Sequence, residues 1–346
     1  MQSLSQNRRR LYGHLALLMC LVIVTPAFCQ ATAKFYDRPK IGLVLSGGGA
    51  RGAAHVGVIK VLDELRIPVD YVAGTSMGAI VGGLYASGMN AAELEQIILE
   101  ADWQKWLTDR PPRADRPYRR KADDYGFLVD FDVGVRGGEL ILPQGIVQGQ
   151  NFTMALRRWL LPVATVRDFD RLPIPFRAIA TNLINGEEVI LNAGDLATAI
   201  RASMSMPAVF KPVRLDGRIL VDGGTANNLP IGLAKQMGAD VLIVVDVGYP
   251  LLEEEQLNSV LSITSQMTTI MLQARSDEQR QMMSPRDVLL MPELGLMSSQ
   301  AFEQSADAMR LGEEAARRLT AELERLSLSV DDYATHRRSI VLARPG

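Results

Sequence analysis

The chain is poor in the residues that carry thiol and metal chemistry. Its 346 residues include two cysteines, Cys20 and Cys29, and three histidines, His14, His55 and His336. Both cysteines lie within segment 1–29. The rest of the chain therefore has no thiol for a disulfide framework, a thiolate metal site or a cysteine nucleophile. His55 and His336 are far apart in sequence and do not make the usual zinc pattern. No metal and no cofactor are expected. A charge excess of either sign is also missing: 37 Lys and Arg stand against 39 Asp and Glu, a net charge of -2. This balance leaves no electrostatic footprint for nucleic acid. Past segment 1–29, no apolar run approaches the roughly 20 residues that a membrane helix needs. No repeat marks a solenoid. What is present is an ordinary globular composition, 47% hydrophobic, which supplies a core for one large α/β domain or two smaller ones.

Segment 1–29 reads as an address. Arg8, Arg9 and Arg10 precede an apolar run from Leu15 to Val24, and Pro26 and Ala27 follow. This is the layout of a secretory signal. The bulky Phe28 before Cys29 argues against lipidation. The chain is expected to be exported. Domain boundaries are expected at 1–29 for the signal, 30–326 for the main domain and 327–346 for a tail or linker.

The mature chain alternates strands with helices. Lys40–Ser46 predicts a buried strand that ends in glycines. Ala54, Val58, Val61, Leu62 and Leu65 recur at helical spacing. Val69–Ala73 reads as a second strand. Met77–Ala86 reads as a helix stopped by Gly88, and Ala91–Ala101 as another helix. Residues 103–150 are irregular and read as an insertion, with β-like pieces at Phe127–Val135 and Glu139–Leu142. Phe176–Thr181 and Glu187–Leu191 form a hairpin around Asn185-Gly186. A helix over Leu196–Ser203 comes next, then strands Val213–Leu215 and Arg218–Asp222 around Asp216-Gly217. A helix between Pro230 and Gly238 and the strand Asp240–Val247 complete the alternation. Leu257–Gln281 and Ala301–Leu326 read as long amphipathic helices. The pattern predicts an α/β protein with a mainly parallel sheet covered on both faces.

Two glycine motifs flank the first strands. Gly47-Gly48-Gly49-Ala50-Arg51-Gly52 satisfies G-x-G-x-x-G, and Asp70 lies 23 residues beyond Gly47. A dinucleotide site is one reading, although Asp70 opens its strand where a ribose-binding acid closes one. An oxyanion hole is the other, because glycines let backbone N–H groups crowd around an anion at a helix N-terminus. Gly74-Thr75-Ser76-Met77-Gly78 is G-x-S-x-G at a strand-to-helix boundary, the setting of a nucleophile elbow. Ser76 then needs a base. His55 follows the glycine loop and His336 lies near the C-terminus, which leaves a Ser-His-Asp triad open. Asp222-Gly223-Gly224 closes a strand and offers a carboxylate directly. Its unperturbed pKa near ~3.9 requires desolvation to make it an effective base.

The three motifs together, in this order and spacing, resemble the patatin-like phospholipase family. Ala202-Ser203, Pro207, Phe210 and the Asp240–Val247 strand match as well. The resemblance runs from about Pro39 to about Leu326. It is nearer still to the secreted, PlpD-like bacterial branch, in which a POTRA module and an outer-membrane barrel follow the enzyme. The resemblance implies a three-layer α/β/α fold and a Ser-Asp dyad: Ser76 as nucleophile and Asp222 as proton acceptor. It also places Gly47, Gly48, Gly49, Arg51 and Gly52 in the oxyanion region, Gly74 and Gly78 in the elbow, and Gly223 and Gly224 in the Asp-Gly-Gly motif. The implied activity is metal-independent hydrolysis of phospholipid or lysophospholipid esters through an acyl-enzyme. The alternative is a non-catalytic lipid- or protein-binding module on the same fold.

Other features have two readings each. Arg110, Arg113, Arg116, Arg119, Arg120 and Lys121, near Trp103 and Trp106, read as a membrane-headgroup contact or as a solvated loop. Leu257, Val260, Leu261, Thr264, Met267 and Met271 line one helical face. That face reads as core packing, or as a lipid-facing or homo-oligomer surface.

Overall fold

A computed structural model of the chain describes residues 38–106, 118, 134–136, 139–141, 147–207 and 209–344. The described residues from Lys40 onward form one compact unit. The expected export signal and the basic residues between Arg110 and Lys121 lie outside the described residues, as does most of Phe127–Val135.

In chain order the strands are β1 (Ile41–Leu45), β2 (Tyr71–Thr75), β3 (Gly134–Arg136), β4 (Glu139–Ile141), β5 (Phe176–Asn182), β6 (Glu188–Leu191), β7 (Val213–Leu215), β8 (Arg218–Asp222), β9 (Val241–Val245) and β10 (Val288–Leu290). The main helices are α1 (Ala54–Glu64), α2 (Met77–Ala86), α3 (Ala91–Glu100), α4 (Gln150–Trp159), α5 (Leu196–Ser203), α6 (Gly224–Asn227), α7 (Ile231–Gln236), α8 (Val260–Arg280), α9 (Ser305–Arg318) and α10 (Val330–Leu342). Strands β10, β9, β1, β2 and β5 lie side by side in that order, all parallel. Such a sheet must be covered on both faces, and β1 is buried along its whole length. Leu43 and Leu45 enter the larger core, with residues of α1 and α2. Val44, between them, enters a smaller core with Leu229, Ile231 and Ala234. The period of two along one strand thus places helices on both faces of the sheet.

The far end of the mainly parallel sheet is antiparallel, built from the two hairpins read in the sequence, and it is central to the site. β6 pairs antiparallel with Ala178–Thr181 and so takes one edge of β5. On the other edge, β2 pairs with Phe176–Ile179 and β8 pairs antiparallel with Ala180–Asn182. β2 and β8 therefore lie end to end along one edge of β5. The β7–β8 hairpin turns on Asp216 and Gly217, both with positive φ (49° and 75°), as a two-residue primed turn requires.

Three expectations are corrected. Ala301–Leu326 is not one helix: a 3-10 turn (Phe302–Gln304) precedes α9, and Leu319 separates α9 from a short helix, Thr320–Glu324. The i→i+3 bond from Leu319 N–H to the Ala316 carbonyl tightens the chain there. Segment 327–346, expected as a tail or linker, contains helix α10. Ser329 caps it, Tyr333 Oη donates to Asp63 at 2.8 Å, and Ile340 is buried. One buried apolar residue is too faint an amphipathic signal to read from sequence. The face of α8 expected to pack in the core instead leaves Val260, Met267 and Met271 exposed.

Candidate functional site

Ser76 stands at the end of β2, at the N-cap of α2, with φ 54° and ψ -120°. A non-glycine residue in such a conformation carries strain of roughly 1–3 kcal/mol, which the surroundings must hold. The sharp turn depends on close approach: a Cβ on Gly78 would meet the Leu45 carbonyl, and one on Gly74 the backbone of Gly78. Ser76 N–H donates to Ser203 Oγ at 2.9 Å, and the Ser76 carbonyl accepts from Ala79 and Ile80. Thr75 Oγ1 donates to the Asn227 carbonyl at 2.9 Å.

Strand register brings a carboxylate to Ser76. Thr75 is level with Ile179, and Asp222 is level with Ala180, the next residue along the same edge of β5. Nucleophile and carboxylate therefore meet head to head. Ser76 Oγ donates to Asp222 Oδ2 at 2.6 Å. Gly224 N–H donates to the other oxygen, Oδ1, at 2.8 Å. Gly223 is needed beside them because a Cβ there would run into the Ile179 carbonyl. Asp222 is half-buried, and enough protein surrounds its carboxyl that burial pushes its pKa up to about 6, against the lowering effect of the Ser76 and Gly224 hydrogen bonds. That value suits a general base working near neutrality.

The glycine loop lies beside this pair. An added Cβ on Gly47 would come within 3.1 Å of Ser76 Cβ, and one on Gly52 would strike the Met77 side chain. Gly49 has φ 58° and opens the 3-10 turn Gly49–Ala53 that leads into α1. Gly47 N–H donates to the Asn228 carbonyl and Ala50 N–H to the Ser299 carbonyl. Among the described residues, the N–H groups of Gly48, Gly49 and Met77 have no protein acceptor. Free backbone donors of this kind are what an oxyanion requires. Arg51 belongs to the loop but serves it as a clamp. Its buried guanidinium donates to the carbonyls of Val247, Gly248, Gly295 and Met297 at 2.7–3.1 Å and lies over the Tyr249 ring.

His55 is engaged with the backbone of the glycine loop's strand. Its Nε2 lies 2.8 Å from the Ser46 carbonyl, which makes that nitrogen the donor, and the ring is fully buried. Burial pushes its pKa down to about 4. The order expected of a histidine and an aspartate is thus inverted: Asp222 titrates near neutrality and His55 well below it. The dinucleotide reading also fails on geometry. Asp70 sits at the start of β2 and accepts the Ile41 N–H at 2.7 Å. Several supporting residues had no sequence signal as site residues. Asn228 bonds the Gly47 carbonyl through Nδ2 at 3.4 Å, and Thr181 Oγ1 donates to the Asp222 carbonyl at 2.8 Å.

The sequence model of the family described as patatin-like phospholipase matches residues 43–235, a span that holds both Ser76 and Asp222. Over 222 residues the chain is 35% identical to an uncharacterized NTE family protein of Mycobacterium tuberculosis, covering 64% of this chain and 53% of that one. Over 216 residues it is 32% identical to a lysophospholipase of Debaryomyces hansenii, covering 62% of this chain and 12% of that one. Among solved structures, VipD from Legionella pneumophila is similar with a TM-score of 0.46 and 17% identity, over 82% of this chain and 67% of that one. The chain spans about half the length of the mycobacterial relative and far less of the fungal one.

Proposed function

The chain belongs to the patatin-like phospholipase family, and on that premise we propose that it is a serine lipid acyl hydrolase of the phospholipase A or lysophospholipase type. The observation that carries this reading is the 2.6 Å hydrogen bond from Ser76 Oγ to a carboxylate with a pKa pushed up to about 6. Ser76 Oγ attacks the ester carbonyl carbon as its proton passes to Asp222 Oδ2. The oxyanion forms against the N–H groups of Gly48, Gly49 and Met77. Asp222 returns the proton to the leaving alcohol oxygen as the ester C–O bond breaks, leaving an acyl-enzyme. Water then attacks the acyl carbon, Asp222 takes its proton, and that proton goes back to Ser76 Oγ as the fatty acid departs. Nucleophile, base and oxyanion donors all come from the chain, so the mechanism calls for no metal. The name of the fungal relative favours lysophospholipids among the substrates. The N-terminal arginines and apolar run support export, and with it membership of the PlpD-like branch.

The test treats wild type and Ser76→Ala with a fluorescent fluorophosphonate in the presence of a chelator. Labelling and ester turnover in wild type alone are expected. Turnover by a pure, folded Ser76→Ala sample overturns the assignment.

A further inference from the structure

We propose that the turn Ser203–Met204–Ser205, at the C-terminal end of α5, sets the geometry of the dyad, with the Ser203 hydroxyl as its positioning side chain. The inference rests on the hydrolase reading above and adds a residue to it. Three bonds from this one turn reach both partners. Ser203 Oγ accepts the Ser76 N–H at 2.9 Å. The Ser203 carbonyl accepts the Gly223 N–H at 3.2 Å, and the Ser205 carbonyl accepts the Asp222 N–H at 2.9 Å. The nucleophile is thus held through a side chain and the base through backbone, by residues two apart.

The turn is itself rigid. Ser203 and Ser205 are wholly buried. Ser205 Oγ donates to the Arg201 carbonyl at 2.9 Å and accepts from Arg201 Nη1 at 2.7 Å. The buried Arg201 guanidinium lies over the Phe210 ring, 4.3 Å from its centre. Asp195 caps the other end of α5 through the Thr198 N–H. The Ser76 N–H belongs to a buried residue in a strained conformation. Removing its acceptor leaves a buried donor unsatisfied next to a strained φ. The Asp222 anchors are carbonyls and survive any substitution at Ser203. The hydroxyl therefore controls the nucleophile's half of the pair alone.

The test compares Ser203→Ala, Ser203→Cys and Ser203→Thr with wild type on a soluble p-nitrophenyl ester across pH. Misplacement on the scale of an ångström costs about 100-fold in rate. We expect kcat of the Ala variant to fall roughly 10- to 100-fold with KM little changed. Its acid limb should move above that of wild type, because Asp222 loses the Ser76 bond that lowers its pKa. Thr keeps an acceptor oxygen and restores both. Cys keeps the volume with a weaker acceptor, so it should behave as Ala does, and it replaces Ala should Ala fail to fold. A folded Ala or Cys variant with wild-type kcat and an unmoved limb overturns the proposal. A kcat loss without a limb shift, or one that Thr does not restore, reduces Ser203 to packing and overturns it as well. If wild type turns over no ester, the hydrolase reading fails separately. The Asp222 shift is then read from the pH dependence of unfolding, where its absence in the Ala variant overturns the positioning role.

Discussion

Replacing Asp222 by Asn should remove activity and, at neutral pH, make the protein more stable. Burial raises the Asp222 pKa from the ordinary 3.8 to about 6. At about 1.4 kcal/mol per pH unit, that rise corresponds to at most about 3 kcal/mol. The sign follows from linkage. A folded-state pKa above the unfolded value means that the native state binds the extra proton, so this contribution to stability is complete below pH 3.8 and is lost as pH rises through about 6. Above that range the folded protein carries an ionised carboxylate that costs it about 3 kcal/mol. Asn never ionises. It keeps an oxygen to accept from Ser76 but gives up the base, and a general base is worth roughly 100- to 10,000-fold in rate. The assay is denaturant unfolding of both proteins from pH 3.5 to pH 8, read as the difference between them. That difference cancels His55, whose depressed pKa gives the opposite slope over much the same window. The stability advantage of Asp222→Asn should grow with pH and level off above about 6. A difference that stays flat from pH 3.5 to pH 8 refutes the claim that this carboxylate is desolvated, and with it the argument that it serves as the base.

The remaining predictions concern the base and the packing. In wild type, kcat/KM on a soluble ester should fall about tenfold per pH unit below about 6, as Asp222 takes up its proton. His55→Gln, with its amide replacing the bond to Ser46, should leave that limb in place; a limb that vanishes in this variant would return the role of base to histidine. The same variant should lose an acid-linked slope. With the folded pKa lowered from 6.5 to about 4, His55 contributes stability above 6.5 that is lost as pH falls through about 4. Equilibrium unfolding of His55→Gln across that window checks this. Gly312→Val should destabilise by several kcal/mol, because a Cβ at Gly312 would strike the Ala54 carbonyl where α9 crosses α1. A melting temperature within a few degrees of wild type would show that the two helices separate more easily than their contact suggests.

Much of the scaffold was legible because its signals are local. The β1 run is apolar at every position because both faces of the strand are covered, and turns such as Asp216-Gly217 need positive φ that glycine and aspartate tolerate. The elbow was legible for a similar reason: Gly74 and Gly78 are demanded by backbone contacts within a few residues of Ser76, or with the neighbouring strand. The breaks in the C-terminal helices and the docking of α10 were not legible. They depend on single contacts such as Tyr333 with Asp63, between residues far apart in the chain.

The pairing of Ser76 with Asp222 stands between these cases. Asp-Gly-Gly after a strand is by itself the sequence of an ordinary turn, and only the other motifs gave it weight. What brings Asp222 to Ser76 is topological. β8 returns antiparallel along the edge of β5 that β2 leaves open after Thr75, so its C-terminal residue arrives facing the residue that follows β2. In an all-parallel sheet, the C-terminal residue of a neighbouring strand would point the same way as Ser76 and not toward it. The antiparallel end of a mainly parallel sheet is thus the feature that brings Asp222 to Ser76. In the proposed mechanism no histidine is required. Head-to-head strands bring a short carboxylate within 2.6 Å of the hydroxyl, so the longer reach of an imidazole has no gap to bridge. Shifting β8 by one residue along β5 would invert its side-chain alternation and send the Asp222 carboxylate to the other face of the sheet.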